Sequence, residues 1–593
     1  MQKNTVKIIV LCLLAFMSFS VWAQENGLPV IRIDTQNGAG INSKEIYTPI
    51  SSFSLTDSNN PKYNVSRADI NDGIRGRGNS TWGVPQKSYR IKFDKKTSLF
   101  GLPAAKSWIL LTNWYDPTLL KNAFVFELGR RLKLPYNHSY HHIELYLNGN
   151  YNGNYILTEH NQVGEGRVDI SETEGWLVEM DFHYDEYPQF RTDNYWLPVM
   201  IKSPEFEPAN MNNSAYAFVR NDWNQLCDLM ASSSFPENGY RELIDMESIL
   251  NYFLVQVLTQ NHDFNHPGSV YWHKDKNGKI SAGPLWDFDL SFGIGWRYDN
   301  APIKNWYYLY DGAMPPTTRA YPGYPFFARF FQDPIFRSKW RENWNKNKAA
   351  IVSMSQFIDN EADKIRESAK EHYKVWRVSE RVDFDYWIEE MKNYLNLRIN
   401  YLNEQYNSID IFPASKDFGT ANNYGSGMSP QIFTLIAYGE IKNFSASFRR
   451  GDLSNFEITG LSQVPMENGE YLTTVSVKPK DYLKKGTYID QLILSGENQG
   501  KSFSQNIRLN FYVNSVSIND INTPQINPLK IWVDDGLLHV GSLTVGEILS
   551  IYNATGVLIY QSIVVDNEMT INLPAQGMYI VRSGSNTEKV VVK

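Results

Sequence analysis

Cysteine is nearly absent: the 593 residues hold two, Cys12 and Cys227. Cys12 falls in an N-terminal apolar run expected to be removed, so no intrachain disulfide can brace the mature chain and stability must come from buried cores. Long runs of Lys or Arg are also missing. With 57 Lys+Arg against 64 Asp+Glu, the net charge is -7, which argues against nucleic acid as a main partner. Past the N-terminus no apolar stretch approaches the ~20 residues that cross a bilayer, so no transmembrane span is expected in the mature chain. What is present excludes wholesale disorder: 42% hydrophobic and 20% charged residues are ordinary for a globular protein. Aromatics reach 14%, a level that suits exported β-rich or surface proteins better than cytosolic enzymes.

The first 23 residues read as a secretory signal. Lys3 and Lys7 form a basic start, Ile8 to Phe19 an apolar run, and Val21-Trp22-Ala23 a cleavage site before Gln24. A secreted or outer-surface location follows as the expectation. Leu11 before Cys12 is too large for lipoprotein processing. Cys227, in the helix-like stretch Trp223 to Met230, is expected to be a small buried apolar residue rather than a nucleophile.

Composition then divides the chain. Residues 28–410 mix strand and helix signals, residues 415–514 alternate short apolar runs with Gly and Asn turns, and residues 526–593 repeat that pattern in smaller form. The last two read as β-sandwiches, joined by a linker over 519–528. In the first zone Asp116-Pro117 predicts a helix start with Asp as N-cap. Asp245 opens the clearest helix, with Met246, Ile249, Leu250, Phe253, Leu254, Val257 and Leu258 on one face.

Four segments carry residues that packing alone does not explain. Arg75-Gly76-Arg77-Gly78 sets guanidinium groups beside glycines, as a loop that cradles an anion would; alone it is equally a tight, solvated turn. In Lys87 to Phe93, strand alternation puts Ser88, Arg90 and Lys92 on one side, where a cation could hold phosphate or simply face solvent. Asp263 is delivered as the Asp245 helix ends, against the helix dipole. A function or a nearby cation would offset that cost. His262 and His266 flank it, a weak metal signal. Finally, Asp287 and Asp289 in Trp286-Asp-Phe-Asp289 are predicted to share one face of a strand, a carboxylate pair suited to Mg²⁺ or Mn²⁺.

Together these are the parts of phosphoryl transfer. In this order they resemble the CotH family of secreted, spore-coat-type atypical protein kinases. The resembling residues are Arg75 to Trp82, Lys87 to Phe93, Trp108 to Asn113, Tyr155 to Glu159, Asn261-His-Asp263 and Pro284 to Asp289. The resemblance implies a kinase-like two-lobed α+β domain using ATP and Mg²⁺, with Mn²⁺ as substitute. It makes Asp263 the catalytic Asp and Asp287 the metal-holding Asp, assisted by Asp289. It gives the ATP phosphates to Lys92, oriented by Glu159, and lines the nucleotide loop with Arg75 and Arg77. The family often carries an Asn six residues after the catalytic Asp; here that place holds Ser269, with Asn265 as the substitute metal ligand. Leu549 to Val557, Leu573 to Val581 and Lys589 to Lys593 resemble the sorting domain of type IX secretion in the Bacteroidetes, which implies secretion machinery as a partner.

The leading expectation is a secreted kinase that moves the ATP γ-phosphate to Ser/Thr-type hydroxyls of exported proteins. The alternative is an inactive kinase-like scaffold used for surface adhesion. A glycan hydrolase ranks lower, because carboxylates two residues apart on a strand are too close for the ~6.5–9.5 Å of an inverting pair.

Overall fold

The structure, a computed structural model, describes residues 27–592 apart from 70, 207–213, 265, 294–321, 378, 380, 423, 424, 426, 515–528, 535 and 585. The expected signal at 1–23, the linker at 519–528 and Asn265 lie outside the described residues. Helices and sheets occur in separate groups, so the class is α+β.

Strand alternation builds the first sheet into a closed wall. Its strands are β1 (Val30–Thr35), β2 (Thr48–Thr56), β3 (Val65–Arg67), β4 (Gly73–Arg77), β5 (Ser88–Thr97), β6 (Ala105–Leu111), β7 (His141–Leu147) and β8 (Asn150–Glu159). They run in the order β1-β7-β8-β6-β5-β4-β2-β3, and β1 also pairs with β2, closing seven of them into a barrel. Every other residue points inward: Ile31, Ile33, Phe53, Leu55, Ile74, Ile91, Trp108, Leu110, Tyr155 and Leu157 fill the interior. A second, five-stranded sheet contains β9 (Trp176–Met180), β10 (Gln189–Arg191), β11 (Pro198–Ser203), β12 (Val270–Lys274) and β13 (Ser281–Ala282). It shares its core with the helices α1 (Lys121–Arg131), α2 (Ser214–Ala231), α3 (Met246–Thr259), α4 (Gly323–Phe330), α5 (Pro334–Val352), α6 (Met354–Val375) and α7 (Phe384–Asn407).

Two helix starts compare directly with expectation. α3 begins where predicted, with the Asp245 carboxylate accepting the Ser248 N–H. α1 begins at Lys121, later than Asp116-Pro117 suggested. Leu119 takes φ 58°, and Asp116 spends one oxygen on Thr118 N and Oγ1 and the other on Lys121 N at 2.8 Å. It serves the helix from outside a turn rather than as N-cap. Cys227 is buried in α2, and burial pushes its thiol pKa up, as an unreactive core residue requires.

The chain falls into two compact units, one comprising residues 1–416, 429–478 and 490–509, the other 417–428, 479–489 and 510–593. The first unit includes part of the sheet formed by Asp410–Phe412, Gln431–Tyr438, Glu470–Pro479 and Phe456–Pro465. That sheet is fastened to α5 by buried ion pairs. Arg337 Nε meets Asp410 Oδ2 at 2.6 Å and Arg341 Nε meets Glu470 Oε1 at 3.1 Å, all four side chains being nearly inaccessible. In the second unit, a three-stranded and a four-stranded sheet enclose Leu538, Val540, Leu549, Ile551, Ile571 and Val581.

Two buried histidines set a pH limit on the first unit. Burial lowers His273 to about 4 and His372 to about 3. Unfolded, each would titrate near ~6.5. Below that pH the unfolded chain binds protons that the folded chain refuses, so stability falls as pH drops from ~6.5 toward 4, by about 1.4 kcal/mol per pH unit per histidine. His372→Gln is expected to flatten the slope of unfolding free energy between pH 6 and 5 by nearly one proton; an unchanged slope would contradict this.

Candidate functional site

The outer face of the barrel wall at β4 and β5 is cationic. In their antiparallel register Arg75 lies opposite Arg90, Arg77 opposite Ser88 and Gly73 opposite Lys92. The Arg77 guanidinium sits 5.1 Å from the centre of the Trp286 ring and that of Arg75 5.2 Å from Tyr47. Arg90 is half-buried, with Nη2 donating to Ser107 Oγ at 3.1 Å. The Nε atoms of Arg75 and Arg90 are buried with no hydrogen-bond partner among the described residues. Burial lowers the Arg90 pKa, and the charges of Arg75 and Arg77 lower it further.

Two expectations are corrected on this face. Gly73 to Arg77 is a strand, not an anion-cradling loop. Gly76 is needed because the Trp82 ring lies against it; a Cβ there would fall 1.9 Å from a ring carbon. The Lys92–Glu159 pairing is not formed. Lys92 belongs to the outer face and is exposed above Tyr47, its Nζ 5.7 Å from the ring centre. Glu159 is in register with the inward Trp108. Its carboxylate accepts Ser139 N at 2.8 Å and lies 3.8 Å from His138 Nδ1.

The acidic side of the site comes from two loops. Just beyond α3, Asp263 sits in a single 3-10 turn, His262–Phe264. Its Oδ1 is 3.1 Å from His266 Nε2, and its carbonyl accepts Gly268 N at 2.6 Å. His266 and the turn give Asp263 hydrogen-bond partners at a position where the helix dipole disfavours a carboxylate. Asp287 and Asp289 lie in an irregular segment, not on a strand, since β13 ends at Ala282. The segment is pinned by Phe288 N donating to Asn122 Oδ1 at 3.0 Å, Lys121 Nζ to the Asp289 carbonyl at 2.8 Å and Phe292 N to the Thr259 carbonyl at 2.6 Å. Asp287 takes φ 63°, a conformation costly for a residue with a Cβ and concentrated at functional sites.

One electrostatic field joins these loops. Burial raises the Asp287 pKa to about 6, the Asp263 charge adds to it, and Arg77 opposes. Asp289 is pushed well above the usual carboxylate range by burial, then by Asp287 and Asp263. Three crowded carboxylates, Asp289 hydrogen-bonded to Asp287, beside an arginine-lined wall suit a divalent cation and the anion it carries.

The sequence missed a third contributor, the stretch after β9. Asp181 Oδ1 accepts His183 N at 2.8 Å, while Oδ2 accepts Ser269 N at 2.9 Å. Ser269 Oγ lies 3.4 Å from Asp287 Oδ2, so Ser269 bridges two acids where the resemblance expects Asn. Glu186 is paired with Lys202, whose Nζ also meets Glu179 at 2.7 Å. Arg75 and Arg77 add to Lys202 in holding the Glu186 carboxyl below its usual range against the effect of burial. No motif marks this stretch; its acids read as ordinary loop residues. Ligand atoms of His262, Asp263 and His266 also lie within 4.8 Å of one another.

A family model, CotH kinase protein, matches residues 74–402, more than half of the chain. The chain belongs to the CotH kinase protein family. The matched span contains the arginines of β4 and β5, Asp263, and the Asp287–Asp289 loop, so in this CotH protein the family match and the site coincide. That makes the protein kinase-like, and a kinase-like family implies use of ATP and a divalent metal. No curated protein matches it. Among solved structures, the Salmonella enterica SafA pilin–SafB chaperone complex is 10% identical, covering 31% of the CotH chain and 96% of the other, with TM-score 0.13. The E. coli chaperone DraB is 13% identical, covers 31% and 96%, and has TM-score 0.14. An endo-fucoidan hydrolase of glycoside hydrolase family 107 is 15% identical, covers 34% and 37%, and has TM-score 0.16. No helix among the described residues is long and apolar enough to cross a membrane.

Proposed function

We propose that this protein is an active, exported kinase with a two-lobed catalytic body, transferring the γ-phosphate of ATP to Ser/Thr-type hydroxyls of exported proteins with Mg²⁺ or Mn²⁺. The observation that carries the reading is the meeting of Asp263, Asp287 and Asp289 in one field, with Arg77 of the barrel wall acting on Asp287. Bound ATP and its metal ion supply the transferable phosphoryl group and neutralise charge as it develops. The protein's own part is positional. Asp287 and Asp289, both desolvated, would hold the cation. Arg75 and Arg77 would receive phosphate oxygens, and Trp286 fixes Arg77. Asp263, with Oδ1 held by His266, would orient the incoming hydroxyl and accept its proton. The C-terminal β unit would serve export through the secretion machinery.

Calorimetric titration of ATP into the full chain, with and without Mg²⁺, tests the site. Metal-dependent binding is expected in the wild type and its loss in Asp287→Asn. Because Asp287 must be ionised to hold the ion, binding should also weaken as pH falls through about 6. Absence of metal-dependent binding by the folded wild type would overturn the reading.

A further inference from the structure

The wall that faces the acidic loops carries a cation, Arg90, to which the resemblance gave no role. Arg90 stands between Arg75 across one strand boundary and Ile109 across the other, both in direct register. One guanidinium nitrogen is spent on Ser107 Oγ at 3.1 Å, while Nε is buried and has no hydrogen-bond partner among the described residues. Neighbouring Arg75 Nε is likewise buried without a partner among the described residues. A fold gains nothing from packing like charges together with donors unused; buried polar groups that lack partners call for an explanation such as a ligand. The surroundings are otherwise cationic as well, since Arg77, Arg90, Lys202 and Arg167 all act on His160. Among the described residues, the charge of Glu186 reaches Arg75, Arg77 and Arg90. Lys92, by contrast, is exposed and stands over Tyr47 at the far end of the register.

We infer that Arg90 is the central phosphate-binding cation of this site: its planar fork, between Arg75 and Arg77, takes the oxygens of a polyphosphate chain in the place the resemblance gave to Lys92. The inference rests on the proposed kinase reading and sharpens it, because the ligand class becomes a linear polyphosphate carried by a nucleotide. Arginine suits the task, since it offers paired donors in a fixed geometry that an ammonium lacks.

The test uses the full chain and inorganic tripolyphosphate as probe, followed by calorimetry at low salt, with thermal unfolding measured on the same samples. Arg90→Met is expected to weaken binding by about 10- to 100-fold, while its melting temperature holds or rises because an unpaired cation among like charges is gone. Lys92→Met should change binding by less than about twofold, the scale of a screened surface charge. A purely structural Arg90 would show the opposite pattern, a lower melting temperature with affinity kept. Arg90→Lys guards against a folding failure: it retains the charge, and a loss of affinity in a normally folded lysine variant still supports the fork. If Arg90→Met and Arg90→Lys both bind like the wild type, or Lys92→Met loses as much as Arg90→Met, the inference is overturned. That result is distinct from failure of the kinase reading, in which the wild type itself shows no metal-dependent ATP binding.

Discussion

Glu470→Gln is expected to cost the first compact unit about 3–5 kcal/mol, a large share of the ~5–15 kcal/mol that holds a typical domain. The Glu470 carboxylate is wholly buried. It meets Arg341 Nε at 3.1 Å and accepts Ser338 Oγ at 2.5 Å and Asn468 Nδ2 at 3.1 Å. Arg341 also donates from Nη1 to the Ile436 carbonyl at 3.1 Å. Removing the carboxylate charge leaves a buried guanidinium without its counter-ion, which is costlier than the pair is stabilising. Pairing Glu470→Gln with Arg341→Met should therefore recover much of the loss. Denaturant unfolding of the full chain checks both; a single-variant loss under about 1 kcal/mol would show the pair to be dispensable. The same logic condemns a truncation at residue 410. Such a chain would keep Arg337 and Arg341 while losing Glu470, Thr434 and the Ile436 carbonyl that satisfy them, and it is expected to aggregate. Composition sets residues 28–410 apart, yet the early turns of their helix α5 are satisfied by strands that lie beyond 410.

Asp263→Asn carries the largest expected kinetic effect. Its carboxylate has one oxygen engaged by His266 and lies in the field of Asp287 and Asp289. A positioned general base contributes on the order of 10²–10⁴ in rate. Turnover should fall by that factor, whether the acceptor is water or a protein hydroxyl, while metal-dependent ATP binding changes little. Nucleotide binding should even tolerate more acid. The Asp263 charge helps to raise the Asp287 pKa to about 6, so neutralising Asp263 moves the pH at which the metal site fails downward. Release of labelled phosphate from ATP, beside calorimetry across pH 5 to 7.5, separates the two variants. Asp287→Asn should lose binding, and Asp263→Asn should lose only turnover. Unchanged turnover in Asp263→Asn would remove it from the reaction.

Local chemistry made part of this site legible. Helical periodicity placed α3 and so delivered Asp263 at its end. Strand alternation put Arg90 and Lys92 on one side and the apolar residues on the other, as the register bears out. Errors arose where tertiary packing reassigned a residue that local rules had already explained. Gly76 read as part of a loop cradling an anion and is room for the Trp82 ring. The Asp287–Asp289 pair looked like strand alternation, yet side-chain and carbonyl anchors on α1 and α3 hold it in an irregular, partly left-handed path. Lys92 and Glu159 were paired by resemblance, and only closure of the wall reveals that their parities are opposite. Asp181 and Glu186 were invisible because their meaning depends on Ser269, Lys202 and the arginines, all distant in sequence.

Barrel closure also sets a timetable. β1 pairs in parallel with β7, Val30 facing Glu144, so the first strand waits for more than a hundred residues before its second neighbour exists. The wall strand β8 waits longer still. Buried Asn154 donates its backbone N–H to His372 Nδ1 at 3.1 Å and its side-chain amide to Ser368 Oγ at 2.8 Å, both on α6. At ~5–20 residues per second of synthesis, tens of seconds separate the emergence of Asn154 from that of its partners. During that interval the arginine-bearing wall exists as an unfinished sheet with unmet polar groups, and long-range pairing of this kind folds slowly. The arginine half of the site is thus synthesised first, the carboxylate half second, and the helix that satisfies Asn154 last.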